Sequence, residues 1–69
     1  MRIELDEMNE LNGQFWIVEK CDWVGCIKAT RFVKDENDEF VIEEIFQHTT
    51  DFIIDVIEEM TGIKIEIGR

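Results

Sequence analysis

Thr49-Thr50-Asp51-Phe52-Ile53-Ile54-Asp55-Val56-Ile57-Glu58-Glu59-Met60-Thr61-Gly62 decides the fold, because here the apolar residues recur with a helical period. At 100° per residue, Phe52, Ile53, Val56, Ile57 and Met60 share one face, and Asp51, Asp55, Glu58 and Glu59 take the outward side. Thr49 or Thr50 can cap the start, and Asp51 suits the positive end of the helix dipole. Gly62 supplies the stop. The spacing predicts one helix whose apolar face lies on a sheet.

Working outward, everything else reads as strand. Residues 2–8 alternate, with Ile3 and Leu5 on one side and Arg2, Glu4 and Asp6 on the other. Asn12-Gly13 is a tight-turn signal. Gln14 to Lys20 is rich in aromatic and β-branched residues. Gly25 marks a turn before a third strand, Cys26 to Lys34, and Asp35-Glu36-Asn37-Asp38 makes a polar turn before a fourth, Glu39 to Phe46. Beyond the helix, Ile63, Ile65 and Ile67 alternate with Lys64 and Glu66, giving a closing strand. The expected fold class is α+β: an antiparallel sheet of about five strands (β-β-β-β-α-β) with one helix packed on one face. Short links favour a meander. The closing strand is expected beside the first, in the order 5-1-2-3-4, with a parallel crossover beside the fourth as the alternative.

One helix covers one face of such a sheet, yet strands two and four are apolar on both. Phe15 and Ile17 oppose Trp16 and Val18; Phe40, Ile42 and Phe46 oppose Val41 and Ile45. Strong curling of the sheet, a homodimer or a partner protein would answer this.

Residues 1–69 read as one small acidic domain with a marginal core, since a chain this size buries only about 60% of its unfolded surface. Its 45% hydrophobic content argues against disorder despite a net charge of −10. Acids occupy the first residues where a secretory signal needs an apolar segment, and the apolar runs fall far short of the ~20 residues that span a bilayer. Anionic membranes and bare nucleic acid are expected to repel the surface. The expected location is the cytoplasm. There Cys21 and Cys26 are expected as free thiols, with a disulfide across the hairpin loop Asp22-Trp23-Val24-Gly25 as the alternative.

Catalytic machinery is not expected. His48 is the single histidine, serine is absent, and no nucleophile elbow, phosphate loop or dinucleotide fingerprint occurs. No metal site or cofactor is expected either. Cys21, Cys26 and His48 offer three ligands at an unusual spacing, and the acidic turn lacks the glycine and glutamate of a calcium loop. Lys28, Arg31 and Lys34 form a local excess of positive charge that reads as internal compensation.

The acidity is the most informative feature. Residues 35–45 hold six acids and no base. On the helix, Asp51–Asp55 and Asp55–Glu59 are like-charged at i,i+4, and Glu58 and Glu59 sit at the negative end of the dipole, each a small destabilisation. Solubility is one explanation. Recognition is the other: spaced carboxylates can imitate phosphates and occupy the basic groove of a nucleic-acid-binding protein. In size, charge and lack of active-site residues, the whole chain resembles the small acidic inhibitors that phages and mobile elements make against such proteins, anti-CRISPR proteins and other DNA mimics among them. No motif carries this likeness, so no residue's role follows from it.

The expected function is therefore non-enzymatic binding of a basic protein partner through Asp35, Glu36, Asp38, Glu39, Glu43, Glu44, Asp51, Asp55, Glu58 and Glu59. The alternative is an assembly protein that self-associates as a homodimer through an open sheet edge or through Trp16, Val18 and Trp23, its acidity serving solubility.

Overall fold

The structure, a computed structural model, describes residues 1–68. Four strands form an antiparallel meander in sequence order: β2 (Met8–Leu11), β3 (Gln14–Lys20), β4 (Cys26–Lys34) and β5 (Phe40–Thr49). β1 (Arg2–Ile3) and β6 (Glu66–Ile67) pair in parallel as a separate two-stranded ribbon, and α1 (Thr50–Thr61) packs on β4 and β5. The fold is α+β with one helix.

Local chemistry sets each boundary. Asn12 and Gly13 both take positive φ, 52° and 83°, and Leu11 pairs directly with Gln14. This is the tight turn whose twist matches its strands. In the β4–β5 turn, Asp35 accepts at Oδ1 from the N–H groups of Asn37 and Glu39, at 2.9 and 3.0 Å, and Asp38 takes the left-handed conformation. β5 runs straight into α1 with no loop. The Thr49 hydroxyl accepts from Phe52 N–H, and left-handed Gly62 donates its N–H to Glu58 C=O at 2.8 Å.

The first predicted strand breaks in two. Asp6 has a φ of 63°, and its N–H donates to Val18 C=O. Asn9 braces the bend by donating to the carbonyls of Glu4 and Glu7. The sheet thus has four strands. The closing strand does lie beside the first, but in parallel and outside the meander, tied by Met1 N-terminus→Lys64 C=O, Glu66 N–H→Met1 C=O and Gly68 N–H→Ile3 C=O.

The core lies between the meander, α1 and the ribbon: Ile3, Leu11, Trp16, Val18, Ile27, Ala29, Ile53, Ile57 and Ile65. Asn12 and Gln14 clamp the hairpin onto the helix end, donating from their side-chain amides to Thr61 C=O (2.9 Å) and Met60 C=O (2.7 Å). These are carbonyls that a helix terminus leaves free. Trp16 Nε1–H donates to Gln14 Oε1, so the largest buried side chain leaves no polar atom orphaned.

The buried stripe of α1 is Ile53, Ile57 and Thr61, with Ile54 and Met60 partly covered. Phe52, expected on the inner face, is 47% exposed and lies against the His48 ring at 4.1 Å. Thr61 takes an inner position because its hydroxyl donates to Ile57 C=O at 2.7 Å, which removes the penalty of burying it.

Candidate partner-binding surface

Facing residues of antiparallel neighbours share a side of the sheet. The helix side carries the rows Trp16–Arg31–Glu44, Val18–Ala29–Phe46 and Lys20–Ile27–His48. The opposite side carries Phe15–Phe32–Ile42, Ile17–Thr30–Ile45 and Glu19–Lys28–Gln47. Phe40 joins this second side, edge-on to Phe15 at 4.9 Å, with Lys34 Nζ over both rings. Nothing among the described residues covers it. Ile42 is 59% and Ile45 54% exposed, and Phe15, Ile17 and Phe32 are half-buried. At about 4.8 Å between strands and 3.4 Å per residue, the patch spans on the order of 300 Å². That is the size at which an apolar patch on a monomer carries meaning.

β5 is the edge of the meander. Arg31 faces Glu44 while Phe32 faces Ile42, so Glu43 is an extra, bulged residue. Both sides of the strand are exposed along nearly its whole length. No backbone hydrogen bond reaches its outer edge among the described residues.

The ten expected acids divide into two sets. Five are tied within the chain. Asp35 holds the turn, and Asp38 pairs with Lys34 at 3.4 Å. Glu44 meets Arg31 at 2.8 Å, with Glu43 at 4.0 Å. Glu58 accepts from Ile65 N–H at 2.9 Å and faces Lys64, fastening the helix to the segment before β6. The other five, Glu36, Glu39, Asp51, Asp55 and Glu59, make no hydrogen bond or ion pair through their carboxylates among the described residues. Asp55 and Glu59 line a shallow surface groove of about 360 Å³ with Phe52, Val56 and Met60. The Phe52–His48 contact puts the start of this groove next to β5, while Asp55 and Glu59 also line a hollow with Glu58 and Lys64 on the ribbon side.

The expected apolar contacts fare differently. Trp16 and Val18 are fully buried and cannot meet a partner, whereas Trp23, at the β3–β4 hairpin tip, is 68% exposed. Phe15, Ile17, Ile42 and Ile45 belong to the strands expected to need a second cover, but the sequence did not single them out as the contact, and it passed over Phe32. Charge did not mark the open side, because each side carries an ion pair: Lys28–Glu19 at 3.7 Å on the open one and Arg31–Glu44 at 2.8 Å on the helix side.

Cys21 and Cys26 are joined in a disulfide that closes the hairpin tip, with Cα atoms 5.3 Å apart, in place of the expected free thiols. The loop brings them face to face, Cys21 N–H donating to Cys26 C=O at 3.1 Å. A groove of about 520 Å³ runs from this tip to Leu5 and Ile67 of the ribbon side. Among the described residues no helix is long and apolar enough to cross a membrane. Compared with protein families, with curated proteins and with solved structures, the chain matches none.

Proposed function

We propose that this chain is a non-enzymatic protein-binding module whose partner is a basic protein, nucleic-acid-binding proteins being the leading class. The observation that carries the reading is that five of the ten expected acids, Glu36, Glu39, Asp51, Asp55 and Glu59, are exposed with no partner among the described residues, on a chain of net charge −10. Three of them, Asp51, Asp55 and Glu59, recur at i,i+4 on the outward side of α1. Each i,i+4 step advances about 6 Å, against a rise of about 3.4 Å per phosphate along a DNA strand. The acids are sparser than a phosphate track. They suit attraction and orientation of a basic groove better than atom-for-atom imitation, and inhibition of a nucleic-acid-binding protein is the role this chemistry fits.

The uncovered apolar side of the sheet favours a second reading, self-association with the acids serving solubility. Salt separates the two. Tagged protein is used to capture partners from a lysate at low salt and is then washed at high salt. Under the first reading a basic protein is recovered and leaves with salt. Recovery of the chain alone, holding together through the wash, would replace the first reading with the second.

A further inference from the structure

We propose that the partner supplies an extended segment that adds to the β5 edge as a fifth strand of the meander, its apolar residues alternating with lysine or arginine. This rests on the basic-partner reading above and names how that partner is held.

Three features of β5 converge. First, the edge is open. Every second residue of an edge strand points its N–H and C=O outward, and before Thr49, whose carbonyl starts the helix, none of these has a backbone partner among the described residues. Beyond the bulge at Glu43, the run Glu44–Thr49 is as long as an ordinary strand. Natural edges are commonly blunted by proline or lysine; the chain has no proline, and residues 40–49 hold no lysine or arginine.

Second, both flanks of the edge offer apolar surface. On the open side lie Ile42 and Ile45. On the helix side Phe52, 47% exposed and against His48, begins a shallow apolar strip of α1 that continues to Val56 and Met60. An added strand alternates its side chains between these two flanks.

Third, the charge selects the occupant. Asp55 and Glu59 line the groove along this strip, and Glu36 and Glu39 stand in the turn that leads into β5. A second copy fits less well, because it brings together two chains of net charge −10, and neither β5 has a lysine or arginine to meet the other's Glu43 and Glu44. A segment with lysine or arginine at alternate positions meets acids on the helix flank while its apolar residues cover Ile42 and Ile45.

The test uses the whole isotope-labelled protein at low salt and a capped decapeptide of alternating lysine and valine. Expected are chemical-shift changes and slowed amide exchange at alternate residues of Glu44–Thr49, with affinity falling about fivefold in D55N/E59Q protein. A second peptide, N-methylated at every other residue so that one backbone edge cannot donate, is expected not to bind. Because this change is made on the peptide, folding of the protein does not enter. Equal binding of the two peptides, or shifts confined to α1, would overturn strand addition. So would no binding of either peptide, or protection of β5 that grows with protein concentration and no peptide. In each of these cases a basic protein captured from lysate and released by salt would leave the broader reading standing.

Discussion

The two sides of the β2–β5 meander are built from the same strands and have opposite fates. Within β3, Trp16 and Val18 are fully buried beneath the helix and ribbon, while Phe15 and Ile17 alternate with them and stay half-uncovered. The composition of the two sides hardly differs. What differs is that one side has an element to pack against. Substitutions at adjacent positions should therefore have very unequal effects, and the first comparison is the largest. Trp16→Ala opens a cavity in the core and strands the Gln14 amide, so it is expected to cost about 3–5 kcal/mol, much of the stability of a domain this small. Ile45→Thr on the open side is expected to change stability by less than about 0.5 kcal/mol. Urea unfolding of the two variants reads the contrast. Similar losses would mean that the open side is covered in solution.

The next effect concerns the hairpin tip, which neither side buries. Cross-linking Cys21 to Cys26 closes a short loop, and the loop-entropy relation gives about 2 kcal/mol for it. Reductant is expected to lower the urea midpoint of the native chain and to leave that of a C21A/C26A variant unmoved. An identical midpoint with and without reductant would show that the tip contributes nothing through the bond.

Gln14 and Lys28 sharpen the comparison at the level of polar contacts. Gln14 donates to Met60 C=O and accepts from Trp16, so Gln14→Met leaves buried partners unsatisfied and is expected to cost about 1–2 kcal/mol. Lys28 pairs with Glu19 on the open side in contact with solvent, and Lys28→Gln is expected to cost less than about 0.5 kcal/mol. Calorimetric melting of both variants tests the ranking.

How much of this was legible follows the same division. Strong local chemistry was readable: Asn12-Gly13 as a turn, Thr49 or Thr50 as a cap, which the structure resolves to Thr49, Gly62 as a stop, and the helix between them. The break at Asp6 was not, because it depends on Asn9 reaching back to Glu4 and Glu7 and on Asp6 pairing with Val18, contacts that alternation cannot express. The helix phase was off by part of a turn, since a hydrophobic wheel has no place for a threonine whose hydroxyl is satisfied by Ile57. The choice of Trp16 and Val18 as surface residues was one position out of step, the smallest error a strand permits and one that exchanges its two faces. Among the acids, sequence could count carboxylates but could not separate Glu58, which fastens a backbone N–H, from Asp55, whose carboxylate makes no hydrogen bond or ion pair among the described residues.

Asp55 gives the smallest effect and the most direct test of what the acids are for. It stands between Asp51 and Glu59 at i,i+4 on both sides, and no base lies near enough to pair with it among the described residues. Removing its charge removes two repulsions of a few tenths of a kcal/mol each, while asparagine and aspartate have similar helix propensity. Asp55→Asn is therefore expected to raise the melting temperature slightly at low salt. The gain should vanish near 1 M salt, where the screening length is about 3 Å. Solubility asks only for charge somewhere on the surface and gives no reason to cluster it where it weakens a helix. A recognition surface does give one. If the same substitution stabilises the fold and weakens capture of a basic partner, the repulsion along α1 is retained for binding. If it stabilises the fold and leaves capture untouched, the acids of the helix serve the chain's own dispersion in water, and the contact belongs to β5 and its apolar neighbours.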